Sequence, residues 1–272
     1  MAILILLGAL TAAASAASAA PAAPVVDPGG LVRWSGPGTE RCAMEGESWA
    51  PLGDTCWYPI DLLRDPGRVT VVRTAGGRRH EAAVRIAAYP YPEQRLTIED
   101  ESKVDLSAED LARVRRENRE IGKLWSRRTP RRFTLPLGPP LADLPEAGRF
   151  GARRVFNDRP SSPHSGADYS AAAGTPVLAV APGTVVLADE HFFAGKSVFL
   201  DHGDGLITMY FHLSSIAVEE GQEVEAGRTI GRVGATGRAT GPHLHFGVRW
   251  RGARVDPGAL LGRAERVAAV GE

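Results

Sequence analysis

The chain has 272 residues, which suffices for one large domain or two modest ones. Hydrophobic residues make up 43% of it, so a core of ordinary size can be buried. The formal net charge is zero, which argues against nucleic acid or an anionic membrane as the main partner.

Residues 1–20 predict a secretory signal peptide. An apolar run at 1–10 is followed by Ala and Ser residues, and A-S-A at 17–19 fits an A-x-A cleavage site. The run is too short to span a bilayer. No Lys or Arg precedes it, so either the start codon is misplaced or the amino terminus carries the only positive charge. We expect an exported protein that has no transmembrane helix after cleavage.

Residues 21–105 are expected to form a small β-rich, sandwich-like domain, because short apolar stretches at 31–34, 68–72 and 82–86 are bounded by Gly and Pro. The chain's two cysteines, Cys42 and Cys56, lie in this part. In an exported protein a lone pair at this separation predicts a disulfide that closes a short loop. A two-cysteine metal site is the alternative, but the flanking sequence offers it no partners.

Residues 106–148 are expected to form a connecting helix and a linker. Ser107 is a suitable N-cap, and acidic residues follow it at 109 and 110. A narrow apolar stripe continues along the helix and consists of Leu111, Val114, Ile121 and Leu124. The stretch 127–140 is rich in Arg and Pro and is predicted to lead into a second domain.

Residues 149–265 are expected to form an antiparallel β-sheet domain. Short β-runs there are separated by glycines, and no helical period of useful length occurs. The sequence therefore predicts a mainly β protein, with a β-rich N-terminal domain, a connecting helix and a C-terminal β domain.

Two histidines lie on one face of a predicted strand at 243–250. The stretch alternates, with His243 and His245 on one side and apolar residues on the other. Same-face neighbours on a strand are about 7 Å apart, whereas a metal–imidazole bond is about 2 Å long. One ion is therefore not expected to bind both rings. The spacing fits better if one histidine binds a metal ion and the other transfers protons. The alternative is that both histidines are structural.

His164 and Asp168 form an H-x-x-x-D unit, which can bind a metal only if the chain bends. On a straight strand the two side chains would be about 13 Å apart. Pro163 and Gly166 argue against a helix, and Gly166 allows a sharp bend.

His212 adds a further imidazole on another predicted strand. Strict alternation places it on the face of Thr208 and Tyr210, opposite to the face of Met209 and Phe211. Whether it contributes to a site depends on which face also carries His243 and His245.

The order of these units is more specific than any one of them. H-x-x-x-D at 164–168, a strand histidine at 212 and G-P-H-L-H at 241–245 occur together with G-T-P-V at 174–177 and G-A-T-G at 234–237. This order resembles the lysostaphin/LytM-type zinc endopeptidases, which cut peptidoglycan cross-links. The likeness covers residues 150–261.

The resemblance implies a role for each matching residue. The Zn²⁺ ligands would be His164, Asp168 and His245, and three ligands with an open position are typical of a catalytic zinc site. His212 and His243 would flank the zinc-bound water as the catalytic pair. By resemblance alone, Arg154 and Asn157 are candidates for substrate binding.

Two other functions have to be weighed. The same fold serves metal-free regulators that bind the wall or activate amidases, but here all five positions are filled, which favours an active peptidase. The stretch 218–227 resembles biotinyl or lipoyl carrier domains, yet the only lysine of this part, Lys196, has no matching context.

The expected substrate is peptidoglycan. A separate N-terminal domain and an Arg-rich composition favour a Gram-negative periplasm, and hence D-alanyl–diaminopimelate cross-links. Glycine bridges are the alternative. Loops at 155–160 and 190–196 are expected to set specificity, and a regulatory or adaptor protein is a further candidate partner.

Overall fold

The computed structural model describes residues 22–271, so the predicted signal peptide at 1–20 lies outside the described residues. Within this part the chain is mainly β, with one long helix between an N-terminal and a C-terminal group of strands. This confirms the fold class predicted from the sequence. Of the described helices, none combines the length and apolar character that crossing a membrane requires.

The N-terminal strands form two sheets around one core. Five strands form a sheet in the order β1-β7-β6-β3-β4, and β2 and β5 pair in a second sheet. Both sheets contribute to one hydrophobic core, with Val32 and Tyr58 from the second and Val71 from the first. The predicted disulfide between Cys42 and Cys56 is present and joins β3 to β5, so it bridges the two sheets. The bounds are β1 (Val25–Val26), β2 (Leu31–Ser35), β3 (Thr39–Met44), β4 (Glu47–Trp49), β5 (Thr55–Pro59), β6 (Gly67–Ala75), β7 (Arg78–Ile86) and β8 (Glu93–Leu96).

The connecting helix α1 spans Ala108–Gly122, as the sequence predicts. Ser107 is its N-cap, and its Oγ accepts a hydrogen bond from the Asp110 backbone N–H at 3.1 Å. Leu124 lies in the 3-10 turn that follows, Lys123–Ser126. It packs in a small cluster with Ile207 and Met209 of the C-terminal sheet, so the segment after α1 is held against that sheet.

The C-terminal part is built on a nine-stranded antiparallel sheet with the central order β11-β18-β15-β14-β13-β16; β12, β17 and β19 pair at its sides. Tyr210, Phe246 and Trp250 are fully buried in its core. A short helix, α2 (Pro257–Leu260), follows the sheet. The strands are β9 (Arg153–Phe156), β10 (Arg159–Pro160), β11 (Gly166–Ser170), β12 (Pro176–Leu178), β13 (Gly183–His191), β14 (Gly195–Asp201), β15 (Leu206–Ile216), β16 (Glu223–Val224), β17 (Thr229–Val233), β18 (His243–Trp250), β19 (Ala253–Arg254) and β20 (Val267–Ala269).

Two parallel strand pairs connect the two parts of the chain. The strand β8, from the N-terminal part, pairs with β9, and β20, from the C-terminal end, pairs with β2. The division into domains at 21–105, 106–148 and 149–265 stays a prediction. Each of the two pairs joins a strand before residue 106 to a strand after residue 148.

A β-bulge interrupts β15 at His212. The register between β14 and β15 shifts so that Phe211 and His212 lie opposite Ser197 alone, and His212 has a φ of 62°. The prediction that side chains alternate strictly between the two faces of this strand is therefore wrong. Phe211 packs against the small cluster that contains Leu124, whereas Leu213 packs in the core of the C-terminal sheet. The bulge brings the His212 ring to the face that carries His243 and His245.

Candidate metal centre and cleft

Three side chains that could hold a metal ion converge where β11 pairs with β18. In this antiparallel register Asp168 lies directly opposite His245, and His164 precedes β11 by two residues. His164 Nε2 is 3.0 Å and His245 Nδ1 is 2.9 Å from Asp168 Oδ1, and the two nitrogens are 2.9 Å apart. The fold thus brings together the three residues that the resemblance implies as ligands.

Gly166 allows the His245 ring to lie against the backbone of β11. A Cβ at this position would be 2.6 Å from His245 Nε2 and 2.7 Å from the Phe246 carbonyl oxygen. Gly166 is not among the described glycines with positive φ. The structure therefore requires glycine here because of close approach, and not because of the sharp bend expected from the sequence.

A backbone carbonyl fixes the tautomer of His164. Its Nδ1 is 2.9 Å from the Arg149 carbonyl oxygen, and because a carbonyl only accepts, Nδ1 carries the proton. The lone pair of Nε2 then faces the cluster. Burial lowers the pKa of His164 to about 4, so the ring is neutral at neutral pH.

Asp168 is held ionised by its neighbours. Burial alone would raise the pKa of Asp168, but the adjoining imidazole of His245, whose Nδ1 lies 2.9 Å from Oδ1, outweighs burial and holds that pKa well below its usual range. On the other side, Arg154 Nη2 donates a hydrogen bond to Asp168 Oδ2 at 2.5 Å. Arg154, predicted to bind substrate, is therefore also a direct partner of Asp168.

Two further imidazoles, His212 and His243, lie beside the three-residue cluster. Their ring centroids are 4.8 Å apart, and His243 Nε2 is 3.8 Å from Asp168 Oδ1. His212 Nδ1 donates to the Thr236 carbonyl, and His243 Nδ1 donates to the Gly241 carbonyl, each at 2.8 Å. When such a ring carries a single proton, that proton is on Nδ1 and Nε2 can accept another.

His212 remains neutral over the physiological pH range. Burial, together with the adjacent imidazoles of His245 and His243, lowers its pKa to about 3. A neutral imidazole in this position can act as a base towards a group bound near the cluster.

The cluster opens to a cleft made of two cavities, of about 490 Å³ and about 330 Å³. The larger cavity is bounded by α1 and is lined by His164 and His245, and the smaller one is lined by Asp168 and His243. The Phe211 ring stacks on His245, with centroids 5.1 Å apart and 8° between the planes. The cleft thus offers room for an extended ligand on both sides of the cluster. Residues that line both cavities are Arg154, Phe156, His212 and Arg238.

Asn157, the other candidate for substrate binding, makes a structural contact. Its Oδ1 accepts from the Ile98 backbone N–H at 2.9 Å, and its Nδ2 donates to the Ile98 carbonyl at 3.0 Å. These bonds tie the turn after β9 to the end of β8. A substrate contact by Asn157 stays a prediction that the described contacts do not support.

The remaining histidines of the C-terminal part have structural contacts. His202, in the hairpin between β14 and β15, is fully buried, and its nitrogens bond to the Pro182 carbonyl and to Thr208 Oγ1 at 2.8 and 2.7 Å. His191 ends β13, bonds to Ser197 Oγ at 2.7 Å and lines the larger cavity.

Sequence reasoning missed two features of the site. The first is the set of carbonyls, from Arg149, Thr236 and Gly241, that bind the Nδ1 protons; no side-chain pattern encodes them. The second is Arg238, which lines both cavities. Arg238 lies between G-A-T-G at 234–237 and G-P-H-L-H at 241–245, and this position next to two motifs of the site could have indicated its place in the cleft.

The donor set fits a zinc ion. Two imidazole nitrogens and one carboxylate oxygen lie within 3.0 Å of one another. Zinc bonds to such atoms are about 2.0–2.2 Å long, so one ion can contact all three. The Nε2 lone pair of His164 faces His245 Nδ1, and a shared cation satisfies this arrangement. Three protein ligands are the set of a catalytic zinc site, whereas a structural site has four.

Sequence comparisons identify relatives of the C-terminal part. The model of peptidase family M23 matches residues 162–257, which include all five clustered side chains. Peptidoglycan DD-endopeptidase ShyA of Vibrio cholerae is 45% identical over 95 residues, 35% of this chain and 22% of that protein. Peptidoglycan DD-endopeptidase ShyB of the same organism is 43% identical over 153 residues, 46% of this chain and 36% of that protein. The chain spans less than half the length of these two relatives.

A solved structure matches most of the chain. It is a crystal structure from Pseudomonas aeruginosa that is named as an M23 peptidase, with 35% sequence identity and a TM-score of 0.65. The match covers 86% of this chain and 94% of that one, so the N-terminal strands and the helix are included. Because the likeness extends over nearly all of that relative, and because the family model matches the region of the five clustered side chains, the chain belongs to peptidase family M23.

Proposed function

We propose that the chain is a zinc-dependent endopeptidase that hydrolyses the peptide cross-links of peptidoglycan. One arrangement carries the proposal: the ligand atoms of His164, Asp168 and His245 lie within 3.0 Å of one another, and His212 and His243 stand beside them with Nδ1 bonded to backbone carbonyls. The names of the two Vibrio cholerae relatives support the substrate class.

Each side chain of the site has a task in the proposed reaction. His164, Asp168 and His245 would hold the zinc ion, which when bound polarises the scissile carbonyl and lowers the pKa of a water molecule towards about 7. One of the two rings, His212 or His243, accepts a proton from the attacking water through Nε2. That ring passes it to the departing amine nitrogen as the C–N bond breaks, so the products are a carboxyl group and an amine.

The same two imidazoles stabilise negative charge. Once protonated, an Nε2–H donates a hydrogen bond to the oxygen that becomes negative on the attacked carbonyl. The carbonyls of Thr236 and Gly241 hold both rings in place while the proton moves, because each bonds to the Nδ1 side that does not react.

The proposed place of action is outside the cytoplasm, in the periplasm of a Gram-negative cell. The disulfide between Cys42 and Cys56 is typical of an oxidising compartment. Peptidoglycan also lies outside the cytoplasm, which agrees with the apolar run at 1–10.

The proposal is tested by digesting purified peptidoglycan with zinc-loaded protein and identifying the released fragments by mass. H164A, D168A and H245A should lose both zinc and activity. H212A and H243A should keep zinc, while the rate falls about 100- to 10,000-fold, since proton transfer is lost. The matched control is H80A, because His80 is exposed and distant in sequence from the site.

Two outcomes would contradict the proposal. One is the release of the same fragments by zinc-loaded and zinc-free protein. The other is no release by zinc-loaded protein together with stimulation of a wall amidase, which would assign the chain to the inactive regulators.

A further inference from the structure

Arg238 presents a guanidinium group to the cleft without an acidic partner. Its Cζ lies 4.3 Å from the centroid of the Phe156 ring and 4.2 Å from that of Phe193, so two aromatic rings hold the group. Its backbone N–H donates to the Phe193 carbonyl at 2.9 Å. Among residues 22–271, no carboxylate forms an ion pair with Arg238, although such a pair is the usual state of a half-buried arginine.

A second guanidinium group lies close to the first. Arg154 lines the same two cavities, and its positive charge, after burial, contributes to lowering the pKa of Arg238 to about 10. Arg154 is bonded to Asp168 through Nη2, while its buried Nε has no partner among the described atoms. Two charged arginines therefore face a shared cleft, and one carboxylate of the protein, Asp168, serves only one of them.

The smaller cavity contains one further acidic residue, Glu146, which is exposed. It forms no ion pair with either arginine in the described part of the chain. In the larger cavity the acidic residue is Glu117, which pairs with Arg113 at 2.7 Å. The charge of the cleft is thus positive on the side of Arg238. A bound anionic group would relieve the repulsion between the two guanidinium groups.

We propose that Arg238 binds a free carboxylate that the substrate peptide carries near its scissile bond. This inference rests on the proposed function and names the class of peptide that the site selects. A guanidinium group binds a carboxylate through two parallel N–H···O bonds, and the rings of Phe156 and Phe193 hold the group beside the cleft. A cross-link that contains a diaminopimelate carboxylate satisfies the site, whereas a glycine bridge does not.

The test uses two synthetic cross-linked peptides that differ only in one group. One has the free diaminopimelate carboxylate, and the other has a carboxamide in its place. The zinc-loaded enzyme should cleave the carboxylate peptide with a kcat/KM about 10- to 100-fold higher, which is the usual effect of a charge-assisted hydrogen bond. In R238Q the ratio of the two kcat/KM values should fall close to one.

Two variants sharpen the comparison. R238K keeps the charge but not the planar two-bond geometry, so its ratio should lie between those of the wild type and R238Q. The control is R228Q: Arg228 is exposed and lines neither cavity, and its variant should keep the wild-type ratio. Equal cleavage of both peptides by the wild type, or an unchanged ratio in R238Q, would overturn the inference.

Binding separates this inference from the proposed function. The dissociation constants of both peptides are measured by calorimetry on zinc-loaded H243Q protein, with and without R238Q. If the enzyme cleaves neither peptide, the proposed function fails, but tighter binding of the carboxylate peptide that is lost in R238Q still supports the carboxylate site. Equal binding of both peptides would overturn it.

Discussion

At the scale of single residues, the site depends on where each imidazole keeps its proton. His164, His212 and His243 all donate Nδ1–H to backbone carbonyls, those of Arg149, Thr236 and Gly241. The same device serves the ring proposed to bind metal and the two rings proposed to transfer a proton. What separates their roles is position: His164 Nε2 meets Asp168 at 3.0 Å, while His243 Nε2 is at 3.8 Å.

Gly166 gives a sharp prediction at this scale. Gly166→Ala adds a methyl group 2.6 Å from His245 Nε2, and the nearby Phe246 carbonyl leaves it no alternative position. The His245 ring must shift, so zinc affinity should fall about 10- to 100-fold, as for other changes that disturb the orientation of a metal ligand. A competition titration against a chromophoric chelator measures the effect.

Gly122→Ala is the matched control for this substitution. Gly122 lies at the end of α1, where an added Cβ meets nothing within 4 Å. Zinc affinity should stay at the wild-type value there. Wild-type affinity in folded Gly166→Ala protein, checked by circular dichroism, would show that the close approach has no bearing on the metal.

At the scale of secondary-structure elements, α1 is a wall of the cleft as well as a connector. Val114, Ile121 and the following Trp125 line the larger cavity opposite the metal-binding cluster. Glu117 accepts the backbone N–H of Phe192 at 3.0 Å, which ties the helix to the loop between β13 and β14. The position of α1 therefore determines the width of the cleft on that side.

The N-cap of α1 can be tested directly. Ser107→Ala removes the hydroxyl that accepts the Asp110 N–H, so the free energy of unfolding should fall by about 1 kcal/mol. Urea unfolding at equilibrium measures this loss. In Ser215→Ala, which removes an exposed hydroxyl that has no hydrogen bond among the described residues, stability should stay within about 0.5 kcal/mol of the wild type. Equal effects of the two substitutions would contradict the role of the cap.

The elements differ in how well the sequence predicts them. The cap at Ser107 and the alternation of 243–250 are local signals, and α1 and β18 follow them. The bulge at His212 is not local, since it depends on how β15 aligns with β14. The strict period of two therefore placed His212 on the wrong face, although the resemblance assigned it to the site. The pairs β8–β9 and β2–β20 join segments far apart in the chain, and no periodicity reveals such partners.

At the scale of the whole molecule, stability should depend on pH through His202. Burial lowers the pKa of this histidine from 6.5 to about 4, and both ring nitrogens have partners in the folded state. Between these two values the unfolded chain binds a proton that the folded chain does not. The contribution of His202 to the free energy of unfolding is therefore complete above pH 6.5. It is lost as the pH falls towards 4, by up to about 1.4 kcal/mol per pH unit.

This dependence is measured by urea unfolding of the wild type, H202Q and H80Q at several pH values across that range. The slope of the unfolding free energy against pH gives the number of protons bound on unfolding, and in H202Q this number should be smaller by about one than in the wild type. H80Q, which changes an exposed histidine, should keep the wild-type slope. Parallel curves for the wild type and H202Q would mean that His202 titrates alike in the folded and unfolded chain.

The strand β20 has a consequence for the integrity of the molecule. Because Val267, Ala268 and Ala269 pair with Leu31, Val32 and Arg33, the chain returns to its N-terminal sandwich after completing the nine-stranded sheet. A protease that cuts once within 127–140 would leave two fragments still joined by β2–β20 and β8–β9. Such nicked protein should migrate as one species under native conditions and separate only in denaturant.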